Sequence, residues 1–540
     1  VARTARDGAA PRLKKLGAVL AAMCLTSLTL SACTEEEPKE PRNQALDHFG
    51  YIANSTLKTT NAGSTLGAST SAEVLASRVY PAAYVQGPSG QMIPNTDLLS
   101  TQALPSTNPQ VVYTIAEDAK FSDGVPITCD DFLLSFSAAK MPELFDSHMP
   151  VVEDAISLDC APGSKKFTVV FNEGHGDQWR MLFGPGTVLP SHVIAERAGL
   201  DDVALVQALD NFDAEALGEV ARIWREDFNL DHFDPELQVS AGPYKVESVG
   251  QKGEVTLVRN ENYYGDAPEL DTIVVWPQGS DATHLAEEEA IAVADVPAGG
   301  DHFVHRNEPT NPFDISAVVG RMNDTLVLSK TPEGIFASPE ARHAFAACVN
   351  QTELAKVSSG RAGQEVPAIA AHVLSDGDPE WHQLQDLADQ HQRHDVDTAA
   401  AELLRGATIR VAYEAPNDRL AAMVSALATD CATAGIEVVD VSDQVTNPLG
   451  QMRGPEAGVD AVLMAVEPQR EYGDTGMIKG DIEKMRAREQ QLWDEAYYLP
   501  IAAQPRTFVI DRNVGNVVVY TGPAGIGWNM DRWKENTPSA

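Results

Sequence analysis

The chain is short of positive charge. It has 40 Lys and Arg against 78 Asp and Glu, a formal net charge of −38 over 540 residues. A field of that sign repels phosphate backbones and anionic headgroups, so nucleic acid is excluded as a partner and no basic patch serves as a membrane contact. After residue 30 no apolar run approaches the ~18 residues of a membrane span. Gly-x-Ser-x-Gly, His-Glu-x-x-His, phosphate-loop and dinucleotide motifs are all missing. Close acid pairs such as Asp130-Asp131 are expected by chance among so many carboxylates, so they do not argue for acid–base catalysis. An enzyme is not the reading this sequence supports, and no cofactor is implied. Cysteine is scarce too, with six in all and no two at Cys-x-x-Cys spacing, which argues against a zinc site. Asp301-His302 with His305, and His391 with His394 and Asp395, are the nearest approaches to metal ligands. The second group sits in a polar stretch where solvated histidine is the simple reading. No metal site is assigned.

What is present begins at the start of the chain. Arg3, Arg6, Arg12, Lys14 and Lys15 precede an almost uncharged, Leu- and Ala-rich run from Leu16 to Leu30. A basic stretch, a short apolar stretch and small residues before a cut describe a secretory signal over 1–32. Leu30-Ser31-Ala32-Cys33 resembles the bacterial lipobox, which implies that Cys33 is acylated and becomes the first mature residue. Polar residues 33–45 then read as a lipid-anchored linker. Loss of the leader removes five basic side chains and one acidic one, so the mature charge is about −42. The expected place is the extracytoplasmic face of the cell membrane, held by acyl chains. Cys24 leaves with the leader and Cys33 takes lipid, so Cys129, Cys160, Cys348 and Cys431 remain, an even set that reads as disulfides outside the cytoplasm. Spacing alone leaves three connectivities open.

About 500 mature residues exceed a single core, so two or three subdomains are expected. Val111–Ile115 and Lys166–Phe171 read as strands. Thr128 reads as the cap of a helix from Asp130 to Ala139. Further helices are expected near 201–228, 339–357, 379–405, 418–434 and 480–496. Thr408–Ala412, the helix after Asn417, Gly435 and Ile436–Val439 form a β-α-β pattern of the α/β type.

Several segments resemble the extracellular solute-binding proteins of peptide and nickel importers, family five, in an actinobacterial branch. Ala119-Lys120-Phe121-Ser122-Asp123-Gly124-Val125-Pro126-Ile127-Thr128 is similar to the family's Phe-Ser-Asp-Gly turn, and Leu189-Pro190-Ser191-His192 to its Leu-Pro-x-His. Ser240-Ala241-Gly242-Pro243-Tyr244, Leu257-Val258-Arg259-Asn260, Asn262-Tyr263-Tyr264-Gly265 and Pro268-Glu269-Leu270-Asp271 follow in the family's order. Glu340 to Ala346, Gly435-Ile436-Glu437-Val438 and the Gly527–Trp533 ending also match. Gly and Pro set turns and the aromatics pack a lobe, so these elements identify a fold rather than a cargo.

The resemblance implies an α/β fold of two lobes, periplasmic-binding-protein-like of the type II peptide cluster, with mixed sheets, flanking helices and a hinge. It places lobe I at 46–277, lobe II at 278–497 and a return to lobe I at 498–540. Pairing within lobes then gives Cys129–Cys160 and Cys348–Cys431, since a bridge between lobes would lock the hinge. Peptide-binding members hold the ligand's amino group with an Asp in a loop of lobe II. Here that loop is shortened to Glu467–Asp474, so Asp474 is the expected anchor, with Glu467 and Tyr472 as further ligand contacts. The implied role is a lipid-anchored, monomeric solute-binding component of an ABC importer, capturing oligopeptides or a similar solute for its permease subunits. The shortened loop opens an alternative, a lipoprotein of the same fold that regulates phosphatidylinositol mannoside and lipomannan assembly. A nickel or metal-chelate carrier is the third reading.

Overall fold

The computed structural model describes residues 43–454 and 457–536. The leader and Cys33 lie outside the described residues. Among those described, no helix is long and apolar enough to cross a membrane.

A ten-stranded mixed sheet organises the chain. Its centre is two long strands, Phe313–Leu328 and Tyr498–Asp511, paired antiparallel from Phe313 opposite Asp511 to Val327 opposite Tyr498. At one end of this ladder Val293–Pro297 lies against Tyr498–Asp511, followed by Phe49–Ile52, Thr272–Trp276, Val255–Arg259 and Tyr244–Val249. At the other end Ala461–Val466 pairs with Asn323 to Leu328, followed by Thr408–Ala412 and Glu437–Asp440. Each end builds one lobe, and the two long strands cross between them. Their register breaks between Val319 and Asn323 and again between Asp324 and Thr325. An irregularity of that kind bends a strand locally, so the kink sits where one lobe gives way to the other.

The β-α-β unit forms as its pattern predicts. Thr408–Ala412 and Glu437–Asp440 run parallel, joined by the helix Asp418–Thr433, whose first turn Asn417 caps through Leu420 N–H at 3.1 Å. The helix Cys129–Lys140 starts with a capping box: Thr128 N–H donates to Asp131 Oδ2 at 2.9 Å. Other predicted helices are interrupted. The 201–228 stretch is two helices, Asp202–Asp210 and Gly218–Glu226, and the 379–405 stretch keeps its α-helix only at Trp381–His391. A smaller four-stranded sheet contains both Gln110–Ile115 and Lys166–Phe171.

The first lobe's core gathers Trp224, Tyr113, Phe132 and the late residues Ile526, Met530 and Trp533. Trp533 meets Tyr51 edge-on, ring centroids 5.3 Å apart, which ties the end of the chain to the first strand. Residues beyond 277 also pack here: Ala282, Leu285, Ile291 and Phe303 share a cluster with Ile52 and Trp276. The expected boundary at 277/278 therefore falls inside one packed body, because Val293–Pro297 must first complete that half of the sheet.

Disulfides join Cys129 to Cys160 and Cys348 to Cys431. The first fastens the start of a helix to the end of the strand Ala155–Cys160. The second is fully buried and ties the helix Asp418–Thr433 to the turn after Pro339–Ala346.

Candidate functional site

The motifs between Ala119 and Asp271 that carry the family resemblance knit the first lobe and stay out of its cleft, whereas Glu340 to Ala346 and Gly435 to Val438 pack in the second lobe. Asp131 accepts from Ser191 N–H at 2.8 Å and from its hydroxyl at 2.6 Å, and His192 Nε2 lies 2.9 Å from Asp123 Oδ2. Ser122 N–H donates to Ser240 C=O at 2.7 Å, and Asn260 Nδ2 donates to Gly242 C=O at 2.8 Å. A Cβ on Gly242 would stand 2.1 Å from the Arg78 carbonyl oxygen, so only glycine permits that crossing.

A cavity of about 190 Å³ lies between the lobes, crossed by the two long strands, which contribute Met322, Asp324, Gln504 and Arg506. The first lobe supplies Ser69 to Val74 and His148 to Val152, and the second supplies Glu414 and the stretch Leu463 to Glu471. Apolar walls come from Met149, Met181, Phe183 and Leu463. Polar atoms of the two lobes meet directly around it. Arg470 Nη1 donates to Glu73 Oε2 at 2.6 Å, and His148 Nε2 lies 3.0 Å from Glu471 Oε2. Glu414 Oε1 accepts from Thr56 N–H at 2.8 Å and Thr56 Oγ1 at 2.9 Å, and its Oε2 accepts from Ser71 Oγ at 3.1 Å. The two lobes are thus held in a closed arrangement.

Local sequence explains why the second lobe's charges face inward. The strand Ala461–Val466 delivers the chain to the cavity, and Glu467 caps the turn of helix Pro468–Glu471, its Oε2 accepting from Arg470 N–H at 2.9 Å. One helical turn then presents Glu467, Arg470 and Glu471 to the cavity.

Burial sets the electrostatics. It pushes the Glu414 carboxyl up to about 7 despite its three donors. It also raises Glu467, with the nearby charges of Arg470 and Arg321 only partly offsetting it. Burial acts on Glu471 in the same direction, but the His148 charge and hydrogen bond, with the Tyr498 hydroxyl, more than offset it and hold that carboxyl below its ordinary value.

The predicted site residues divide. Glu467 lines the cavity. Tyr472 turns into the second lobe's core, 1 % exposed, its ring edge-on to Tyr498 at 5.0 Å. Asp474 is outside the lining: the chain turns at Gly473, where φ is +66°, and the Asp474 carboxylate takes Lys484 Nζ at 2.6 Å and Gly476 N–H at 3.2 Å. It sits beside Asp154 and His175, whose own contact is 2.9 Å. An anchoring role for Asp474 would require it to leave that lysine.

Sequence reasoning missed Glu73, Glu414 and His148. Glu73 and Glu414 each stand alone in apolar stretches, Ala72 to Ala76 and Val411 to Ala415, and a lone acid in such a run was the available signal. His391 is also corrected. It is fully buried, stacked on Trp493 at 3.9 Å and 3.6 Å from the Glu489 carboxylate, rather than solvated. His302 and His305 are exposed, and Asp301 accepts from Arg306 Nε at 3.0 Å.

The family model "Bacterial extracellular solute-binding proteins, family 5 Middle" matches residues 102–441. An uncharacterized lipoprotein of Mycobacterium tuberculosis is 28 % identical over 97 % of this chain and 98 % of its own length. A probable monoacyl phosphatidylinositol tetramannoside-binding protein, LpqW, of the same species is 24 % identical over 67 % of this chain and 55 % of its own. Among solved structures, the oligopeptide-binding protein of Thermus thermophilus with a bound pentapeptide superposes with a TM-score of 0.65, at 16 % identity, covering 90 % of this chain and 96 % of that one.

Proposed function

The chain belongs to the bacterial extracellular solute-binding proteins of family 5, and from that premise we propose that it is a lipid-anchored capture protein of an ABC importer. It takes an oligopeptide or a similar solute between its lobes and hands it to permease subunits in the membrane. The observation that carries this reading is the cavity, enclosed by both lobes and spanned by the kinked crossing strands. A clamp of this build opens and closes by bending a few residues at the crossing. The first lobe is assigned residues 46 to about 319 with the chain's end from about 505, and the second the residues between. Acyl chains on Cys33 hold the protein at the outer face, and two or more such chains are needed for a stable anchor.

A second reading has its own support. The lobes bond to one another directly around the cavity, and the likeness to LpqW points to a glycolipid-linked lipoprotein role. Native mass spectrometry of the protein purified from its own membranes separates the two. Peptides or another small solute in the bound mass support capture, and a mannosylated lipid supports the second reading. Cys33→Ala should move the protein from membrane to soluble fractions; unchanged membrane attachment would refute the anchor.

A further inference from the structure

We propose that the solute is a small organic cation, an ammonium or guanidinium compound, whose charged end is held by Glu467, with Glu414 a second carboxylate lining the same cavity. This rests on the capture reading and names its substrate class.

Charge pairing in the cavity carries the inference. Arg470 is committed to Glu73 at 2.6 Å and His148 to Glu471 at 3.0 Å. Arg506 Nε is bound to Asp295 Oδ1 at 3.0 Å, and Asp324 Oδ1 to Arg419 Nη2 at 3.2 Å. Among the described residues, two lining carboxylates are left without an ion-pair partner. Glu414 has only the neutral donors of Thr56 and Ser71. Glu467, 5 % exposed, uses one oxygen for a backbone N–H, and its Oε1 is buried with no hydrogen-bond partner. Gln504 Oε1, on the crossing strand, is a second buried acceptor lining the cavity without a partner. Buried acceptors and uncompensated carboxylates are costly until a donor reaches them. An ammonium or guanidinium is all donor and carries the missing charge; an anionic group would add repulsion to an already acidic site. The enclosed volume of about 190 Å³ is below the range usual for drug-sized ligands, so the solute is small.

Binding should also release a proton. Glu414 sits at about 7 in the closed cavity, so it is partly protonated at neutral pH. The charged groups lining the cavity around it are Glu73, Glu467 and Arg470, the His148–Glu471 pair, Asp324 and Arg506. A bound cation favours the ionised carboxylate, so affinity falls as pH drops below about 7, by at most tenfold per pH unit for one proton.

The test is calorimetry on the full mature chain with agmatine, putrescine and L-argininamide, against L-citrulline, L-glutamate, and nickel and magnesium chloride. We expect saturable binding of an organic cation, weakened about thirtyfold or more by Glu467→Gln. That variant keeps its cap oxygen and should fold, which circular dichroism verifies. At pH 7 the heat should depend on the buffer's ionisation enthalpy, reporting proton release, and Glu414→Gln should abolish that dependence. Tighter binding of citrulline, glutamate or a metal ion overturns the proposal while leaving solute capture standing. Cation binding indifferent to Glu467→Gln, or no binding by any organic cation, also overturns it. The capture reading fails separately, if the protein purified from its membranes carries no solute and none of the probes changes its small-angle scattering.

Discussion

Replacing Glu489 with Gln should destabilise the second lobe by about 3 kcal/mol at neutral pH. Glu489 is fully buried on the helix Ile482–Glu495. Its Oε2 accepts His372 N–H at 2.8 Å and Val373 N–H at 3.1 Å, and its Oε1 lies 2.8 Å from His372 Nδ1. His372 Nε2 faces the Tyr498 carbonyl at 2.9 Å. Both ring nitrogens therefore meet oxygen acceptors. Burial alone would raise the Glu489 carboxyl, but the His372 charge and these hydrogen bonds outweigh it and bring it from 4.5 to about 2. At about 1.4 kcal/mol per pKa unit this is worth about 3 kcal/mol. The sign follows from proton binding: the unfolded chain takes up the proton first, so the stabilisation is complete above about 4.5 and is lost as pH falls through about 2. Urea unfolding of wild type and Glu489→Gln at pH 7 and pH 3 should show the gap shrinking to roughly half at the lower pH. A gap below 1 kcal/mol at pH 7, or one that does not change with pH, would refute the charge assignment.

Three further outcomes are expected. Arg470→Ala removes a charge-assisted bond between the lobes, worth about 1.5–3 kcal/mol; the ligand-free protein should show a larger radius of gyration in solution scattering, and an unchanged one would count against the closed arrangement. Replacing Cys348 and Cys431 together with Ser opens a loop of 83 residues and should cost about 4–5 kcal/mol in the chain-entropy model, somewhat more than losing Cys129–Cys160 with its loop of 31; calorimetric melting of the two double variants checks the order. Because Glu414 is raised from 4.5 to about 7 in the closed cavity, the empty clamp should be most closed below about 4.5 and open progressively as pH rises through 7, and Glu414→Gln should flatten that dependence in a scattering series.

Much of the fold was legible because its signals are local. Thr128 with Asp131 announces a helix start, and the strand Thr408–Ala412, the Asn417-capped helix and Gly435 spell a parallel unit in one short stretch. The helical expectation near 201–228 did not locate the break between Asp202–Asp210 and Gly218–Glu226, where the chain turns at Phe212 with φ of +48°. The lobe boundary was hidden for a different reason. Val293–Pro297 joins the first lobe through a parallel pairing with Phe49–Ile52, some 240 residues away, which no local pattern announces. The site was the least legible part. Asp474 matched a position in a motif, but one left-handed residue, Gly473, turns it toward Lys484.

The same contrast separates what makes this fold from what selects its cargo. Within the first lobe Asp123 faces His192, Asp131 accepts from Ser191, Ser240 accepts from Ser122 and Gly242 accepts from Asn260. The cavity draws on residues from distant segments: Glu73, His148, Glu414, Glu467 and Gln504. Apart from Glu467, which caps its short helix, none is required by its own element, since a helix turn or strand end would form with another side chain there. Charge at those positions can change without disturbing the lobe, so a two-lobe clamp can exchange cargo while its identifying motifs stand still. For this chain the evidence about cargo therefore lies in Glu414 and Glu467, which have no ion-pair partner among the described residues, and not in the motifs that name its family.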